Sequence, residues 1–284
     1  MTIEEEQMAA ASVIDKIVAD KRVEVEARKL REPLDALKRR QARIPTEQGS
    51  LVRAILEGPR GPSSGGKRMQ LIAEIKKATP SKGRLVPVLE HRAMARTYTI
   101  GGAAGVSILT ESKYFQGSID FLGECRVSID GYYPGGRPAM LRKDFIFDPY
   151  QIHESRAYGA DAILLIGSIL TDGELRELID LAHELQMECL VEVANEDQVK
   201  RALAVESDLI GINNRDLRSF DVDLGTTERL RPLIPQDRVV VALSGVRTRE
   251  DTERMARAGV HAVLVGEALM TSKNVREKMR EFLI

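Results

Sequence analysis

The chain has 284 residues, 43% of them hydrophobic, with six Tyr, six Phe and no Trp; the core is therefore mainly aliphatic, and the length suits one α/β barrel of ~200–250 residues plus an extension. Forty-two basic against 43 acidic side chains leave a formal net charge of −1, with no excess to attract nucleic acid or an anionic membrane surface. Glu4, Glu5 and Glu6 stand where a secretory signal needs positive charge, and no stretch reaches ~18 consecutive apolar residues, so the expectation is a cytoplasmic protein with neither nucleic acid nor membrane as partner.

Residues 11–31, ASVIDKIVADKRVEVEARKLR, set Val13, Ile14, Ile17 and Val18 on one face with charges around them, the period of an amphipathic helix seeking a partner surface. Pro33 and Pro45 punctuate the next stretch, and the basic cluster KRRQAR at 38–43 lacks interleaved aromatics, so it reads as a solvated helix face. The run GPRGPSSGG at 58–66 continues neither helix nor strand. Residues 1–68 are thus expected to form a helical extension packed on a catalytic barrel of residues 69–284.

Eight short apolar runs come next: LIAEI (71–75), GVSIL (105–109), AML (139–141), AILLI (162–166), CLVEV (189–193), LIGI (209–212), VVVAL (239–243) and AVLV (262–265). They alternate with helix-like segments, which argues for βαβ units and a parallel sheet. Eight units point to a closed (β/α)8 TIM barrel rather than an open Rossmann sheet, and no GxGxxG follows the first strand. The third run is the shortest, and 122–137 before it holds Gly123, Gly131, Pro134, Gly135 and Gly136, the composition of a longer loop. Cys125 and Cys189 are unclustered, so they are expected as reduced packing residues rather than part of a disulfide framework or zinc site. His91, His153, His183 and His261 are dispersed away from the strand ends and read as surface or packing residues.

Barrel enzymes place their chemistry at the C-terminal strand ends, and charge gathers there. Glu74 and Lys76 are two apart at the end of the first strand, Lys143 directly follows the third, Glu192 interrupts the fifth, and Asn213 follows the sixth. A carboxylate inside an aliphatic strand needs a cation, a hydrogen bond or a function, and lysines beside carboxylates suit proton transfer to a carbon skeleton. After the seventh and eighth strands come SGVR (244–247) and GEALM (266–270), whose glycines and helix starts suit a phosphate-bearing substrate.

These segments fall into a known series. EIKKATPSKG (74–83), LTESKYFQGS (109–118), LRKDFIFDPYQI (141–152), LVEV (190–193), IGINNRDL (210–217), SGVRT (244–248) and LVGEALM (264–270) resemble, in order, the motifs of the indole-3-glycerol-phosphate synthase family, and DKIVADKRVEVE (15–26) resembles its N-terminal extension. The resemblance implies closure of 1-(2-carboxyphenylamino)-1-deoxyribulose 5-phosphate onto its ketone, then loss of carbon dioxide and water, without cofactor or metal. It implies that Lys143 assists ring closure, that Lys76 serves the phosphate or the departing hydroxyl, and that Glu74 and Glu192 act as acid or base. Which of these four moves which proton it leaves open. Asn213 and Ser244 match substrate-orienting positions, and Arg215 a position near the substrate's carboxylate. Gly245, Gly266 and Glu267 match phosphate-holding backbone, and Phe145, Leu164 and Ile166 the apolar wall for the anthranilate ring. Thr79 stands in the first loop where the family usually has Ser, and Leu243 where it has Glu. Two other readings compete: a phosphoribosyl-anthranilate isomerase-like barrel, which usually lacks the long N-terminal helix, and a catalytically impaired barrel, suggested by Leu243. A monomer is expected, with contact to other tryptophan-pathway enzymes left open.

Overall fold

All eight apolar runs form strands: β1 (Gln70–Ile75), β2 (Gly105–Leu109), β3 (Ala139–Lys143), β4 (Ala162–Ile166), β5 (Glu188–Val193), β6 (Leu209–Asn213), β7 (Val239–Leu243) and β8 (Ala262–Val265). They pair in parallel, each with its sequence neighbour, and β1 closes the barrel against β8. The computed structural model describes residues 13–44, 49–58, 69–130, 137–217 and 219–284. Glu4–Glu6, Pro45 and most of the run at 58–66 lie outside these residues, as do Gly131, Pro134, Gly135 and Gly136.

Two strands run further than their apolar pattern. The β3 ladder continues through Arg142 and Lys143, and Asn213 stays in register with Leu243. Lys143 and Asn213 are therefore the last residues of their strands rather than the first beyond them. Backbone pairing, with β2 for Lys143 and with β7 for Asn213, rather than side-chain polarity, sets where these strands end.

Side chains alternate across the barrel wall. Leu141, Leu164, Leu190, Val241, Leu243 and Leu264 fill the interior, while Val106, Ile108, Met140, Ile163, Leu165 and Val191 pack outward under the helices. Three of those helices carry a capping box: α6 (Pro149–Ala157) on Asp148, α7 (Asp172–Glu184) on Thr171 and α10 (Arg249–Ala258) on Thr248. Each cap satisfies first-turn N–H groups a few residues past a strand end, so the loops after β3, β4 and β7 end in fixed positions. Among the described residues no helix is long and apolar enough to cross a membrane.

Before β1 lie α1 (Val13–Arg31), α2 (Leu34–Gln41) and α3 (Leu51–Glu57). The fully buried stripe of α1 is Ile17, Lys21 and Val25, with Val13, Ile14 and Val18 partly covered. The basic cluster on α2 is exposed, and Arg40 lies over the Tyr158 ring at 3.8 Å. At the bottom of the barrel, Glu188 accepts hydrogen bonds from the N–H groups of Leu51 (2.6 Å) and Val52 (3.0 Å), where a carboxylate complements a helix start. Buried Asp161 similarly accepts from Gly49 and from Met140 of β3.

Candidate active site

At the C-terminal rim the strand ends open into one cleft of about 1060 Å³, a volume that takes in the open solvent at its mouth. Every site residue expected from the sequence lines it. Glu74 is buried and Lys76 partly so, and Lys76 Nζ donates to Glu74 Oε1 at 2.6 Å. Across the barrel, Lys143 Nζ lies 3.9 Å from Glu192 Oε2. That is an ion-pair separation rather than a hydrogen bond, so the ammonium keeps donors for a substrate oxygen. Asn213 Nδ2 donates to Glu192 Oε1 at 2.8 Å, and its Oδ1 accepts from the Arg215 N–H at 3.0 Å. The Arg215 guanidinium is steadied by donation to the Phe220 carbonyl.

One wall is apolar. Leu164 and Ile166 are buried on the inner face of β4, and Phe145 faces Phe115 with ring centroids 6.3 Å apart. The sequence pattern gave Phe115 no role, although it stands in the LTESKYFQGS segment. Its loop is built by buried Glu111, whose carboxylate accepts from the N–H groups of Lys113, Tyr114 and Phe115. The Phe115 carbonyl also accepts from Ala78 N–H, joining this loop to the two-stranded ribbon of Ala78–Thr79 with Gly83–Arg84, which brings Thr79 to the cleft.

Beyond β7 the backbone turns through two left-handed residues, Ser244 (φ 60°) and Gly245 (φ 86°). That conformation strains a serine and suits a glycine. Asn214, also given no role from the sequence, holds the turn: its Nδ2 donates to the carbonyls of Leu243 (3.1 Å) and Ser244 (3.2 Å). Gly266 precedes α11 (Glu267–Met270), whose first N–H groups have no partner within the helix. A Cβ on Gly266 would stand 2.3 Å from Glu74 Oε1, so only glycine lets the end of β8 come this close to the carboxylate. Glu267 turns its own carboxylate to Lys82 and Arg247. Burial raises its proton affinity, but Lys82, Arg247 and Lys76 outweigh burial and hold it below the usual glutamate range. Leu243, the departure from the family pattern, is buried, and its side chain, like that of Leu190, lies over Gly211 in the barrel centre.

None of the four histidines lines the cleft. His91 pairs with Glu124 at 2.6 Å, and His261 accepts from Val240 N–H at 3.0 Å. The two cysteines are free and buried.

Fold and site together define a (β/α)8-barrel enzyme with lysine–carboxylate acid–base groups at its C-terminal face. Comparison with known proteins narrows this. The family model for indole-3-glycerol phosphate synthase matches residues 14–282. The indole-3-glycerol phosphate synthase of Dehalococcoides mccartyi strain 195 is 44% identical over 95% of this chain and 100% of its own length; that of Roseiflexus castenholzii is 43% identical over 95% and 97%. The chain belongs to the indole-3-glycerol phosphate synthase family, and its activity is that of a carboxy-lyase of tryptophan biosynthesis. Among solved structures, 3-hexulose-6-phosphate synthase from Salmonella typhimurium superposes with a TM-score of 0.58 at 12% identity, over 75% of this chain and 96% of that one. That likeness shows the barrel alone. The family match disfavours the isomerase-like reading.

Proposed function

We propose that this cleft binds 1-(2-carboxyphenylamino)-1-deoxyribulose 5-phosphate and turns it into indole-3-glycerol phosphate with release of carbon dioxide and water. The observation that carries the reading is the convergence of the Glu74–Lys76 pair and the Lys143–Glu192–Asn213 chain on one cleft with an apolar wall. Phe145, Leu164 and Ile166 hold the anthranilate ring, with Arg215 near its carboxylate. Lys143 polarises or protonates the ketone oxygen as the aromatic carbon attacks. Loss of carbon dioxide restores the ring, and departure of the hydroxyl as water gives the indole. Lys76 and Glu74 serve that last step, as acid at the leaving oxygen and base for the proton removed; Glu192 is a further acid or base. Asn213, Ser244 and Thr79 orient the substrate. Action in the cytoplasm accords with the two free, buried cysteines.

The N–H groups at Gly245, Gly266 and Glu267 bind the phosphate. Inorganic phosphate is therefore expected to inhibit competitively, raising KM and leaving kcat unchanged. Initial rates across a phosphate series at constant ionic strength check this, and unchanged KM at saturating phosphate removes the site.

A further inference from the structure

The end of β1 and the start of α11 compete for one hydrogen bond. The Gln70 N–H donates to the His261 carbonyl on the β8 side at 3.1 Å. Backbone groups alternate between the two edges of a strand, so Glu74, four residues on, also turns its carbonyl toward β8. The parallel register runs from Gln70 with Ala262 to Ala73 with Val265 and stops there. One further step, Glu74 with Gly266, would have the Glu267 N–H donate to the Glu74 carbonyl. That bond is not made. A side chain takes its place: the Tyr98 hydroxyl, on α4 (His91–Ile100), donates to the Glu74 carbonyl at 3.2 Å.

Tyr98 is fully buried, and its hydroxyl also lies 3.5 Å from Met270 Sδ of α11, a weaker acceptor than a carbonyl. Burial, and after it the Glu74 charge, raises the proton affinity of the phenol, so the group stays a donor. A buried carbonyl must be paired. With Tyr98 as its donor, Glu74 makes no demand on the Glu267 N–H. We propose that Tyr98 is a positioning residue for phosphate binding: its hydroxyl satisfies the Glu74 carbonyl and so keeps the Glu267 N–H available to the substrate's phosphate. This deepens, and rests on, the assignment of that N–H to the phosphate.

Tyr98→Phe keeps the ring and removes the donor. The carbonyl then captures the Glu267 N–H, and the phosphate loses one hydrogen bond. The inhibition constant for inorganic phosphate and KM should both rise roughly 3- to 10-fold, with kcat little changed. Anthranilate, which probes the apolar wall and Arg215 alone, should inhibit as it does in wild type. Amide exchange at Glu267, followed by NMR without phosphate, should be slower in the variant. Met270→Leu, which keeps the bond from hydroxyl to carbonyl, is the control and should leave both constants unchanged. Should Tyr98→Phe not fold, exchange at Glu267 in the wild type carries the test: fast without phosphate and slowed by it, against equally slow in both if the N–H is already bonded within the protein. An unchanged phosphate constant or unchanged Glu267 exchange in Tyr98→Phe, an equal loss of anthranilate affinity, or an equal loss in Met270→Leu overturns the role of Tyr98. Absence of competition by phosphate in the wild type instead overturns the underlying assignment, so the two failures are told apart.

Discussion

Replacing Lys143 with alanine is expected to cut kcat roughly 10²–10⁴-fold, the usual loss when a positioned proton donor is removed. The fold should survive. Lys143 is partly exposed at the cleft, and its nearest carboxylate, Glu192, keeps the hydrogen bond from Asn213. Steady-state kinetics beside thermal unfolding separate the two effects. A variant with an unchanged midpoint and a rate near wild type would show that the ketone oxygen is served by another group.

The second large effect is on stability. Asp144→Ala leaves the buried Lys21 with Glu24 (3.3 Å) and the buried Arg142 with Glu154 (2.8 Å) as their remaining counter-charges, and loss of one partner of a buried ion pair costs up to about 3–5 kcal/mol. The same site gives a pH dependence of known sign. Burial alone would raise the Asp144 carboxyl, but Lys21, Arg142 and the Thr110 hydroxyl together hold it well below the usual aspartate range. A carboxyl depressed in the folded state adds stability that is complete above its unfolded value of about 3.9 and is lost as pH falls from there toward the folded value. The stability gap between wild type and Asp144→Ala should therefore be widest near neutral pH and narrow below about pH 4. Denaturant titrations from pH 7 to the acid limit of the folded wild type test this; a gap independent of pH would contradict the ion pairing.

The eight strands were legible because parallel strands buried on both faces must be aliphatic, and the turns between them are not. The cleft was legible for a related reason. Glu74, Lys143 and Glu192 are charges in or beside aliphatic strands, a placement that demands an explanation. Less visible was the other side of the same wall. Arg142 cut the third apolar run short because an arginine next to a strand is ordinarily solvated, whereas this one is fully buried among Thr110, Asp144 and Glu154. Lys21 sits in what reads as the charged face of an amphipathic helix, and its counter-charge is far away in sequence. Glu111 and Asn214 act through backbone groups of tight loops. Such bonds depend on local φ and ψ that the pattern of apolar residues does not encode.

Closure of an indole ring by the acid–base groups at the rim of this barrel is directly measurable. The most direct test supplies the purified protein with 1-(2-carboxyphenylamino)-1-deoxyribulose 5-phosphate and follows indole absorbance together with released carbon dioxide. Both are expected in equal amounts, at one equivalent per substrate consumed, and both are expected to be lost in Lys143→Ala. Saturable binding of the substrate with neither product formed would contradict it, and would mark a barrel in which Leu243 accompanies a site that binds without turning over.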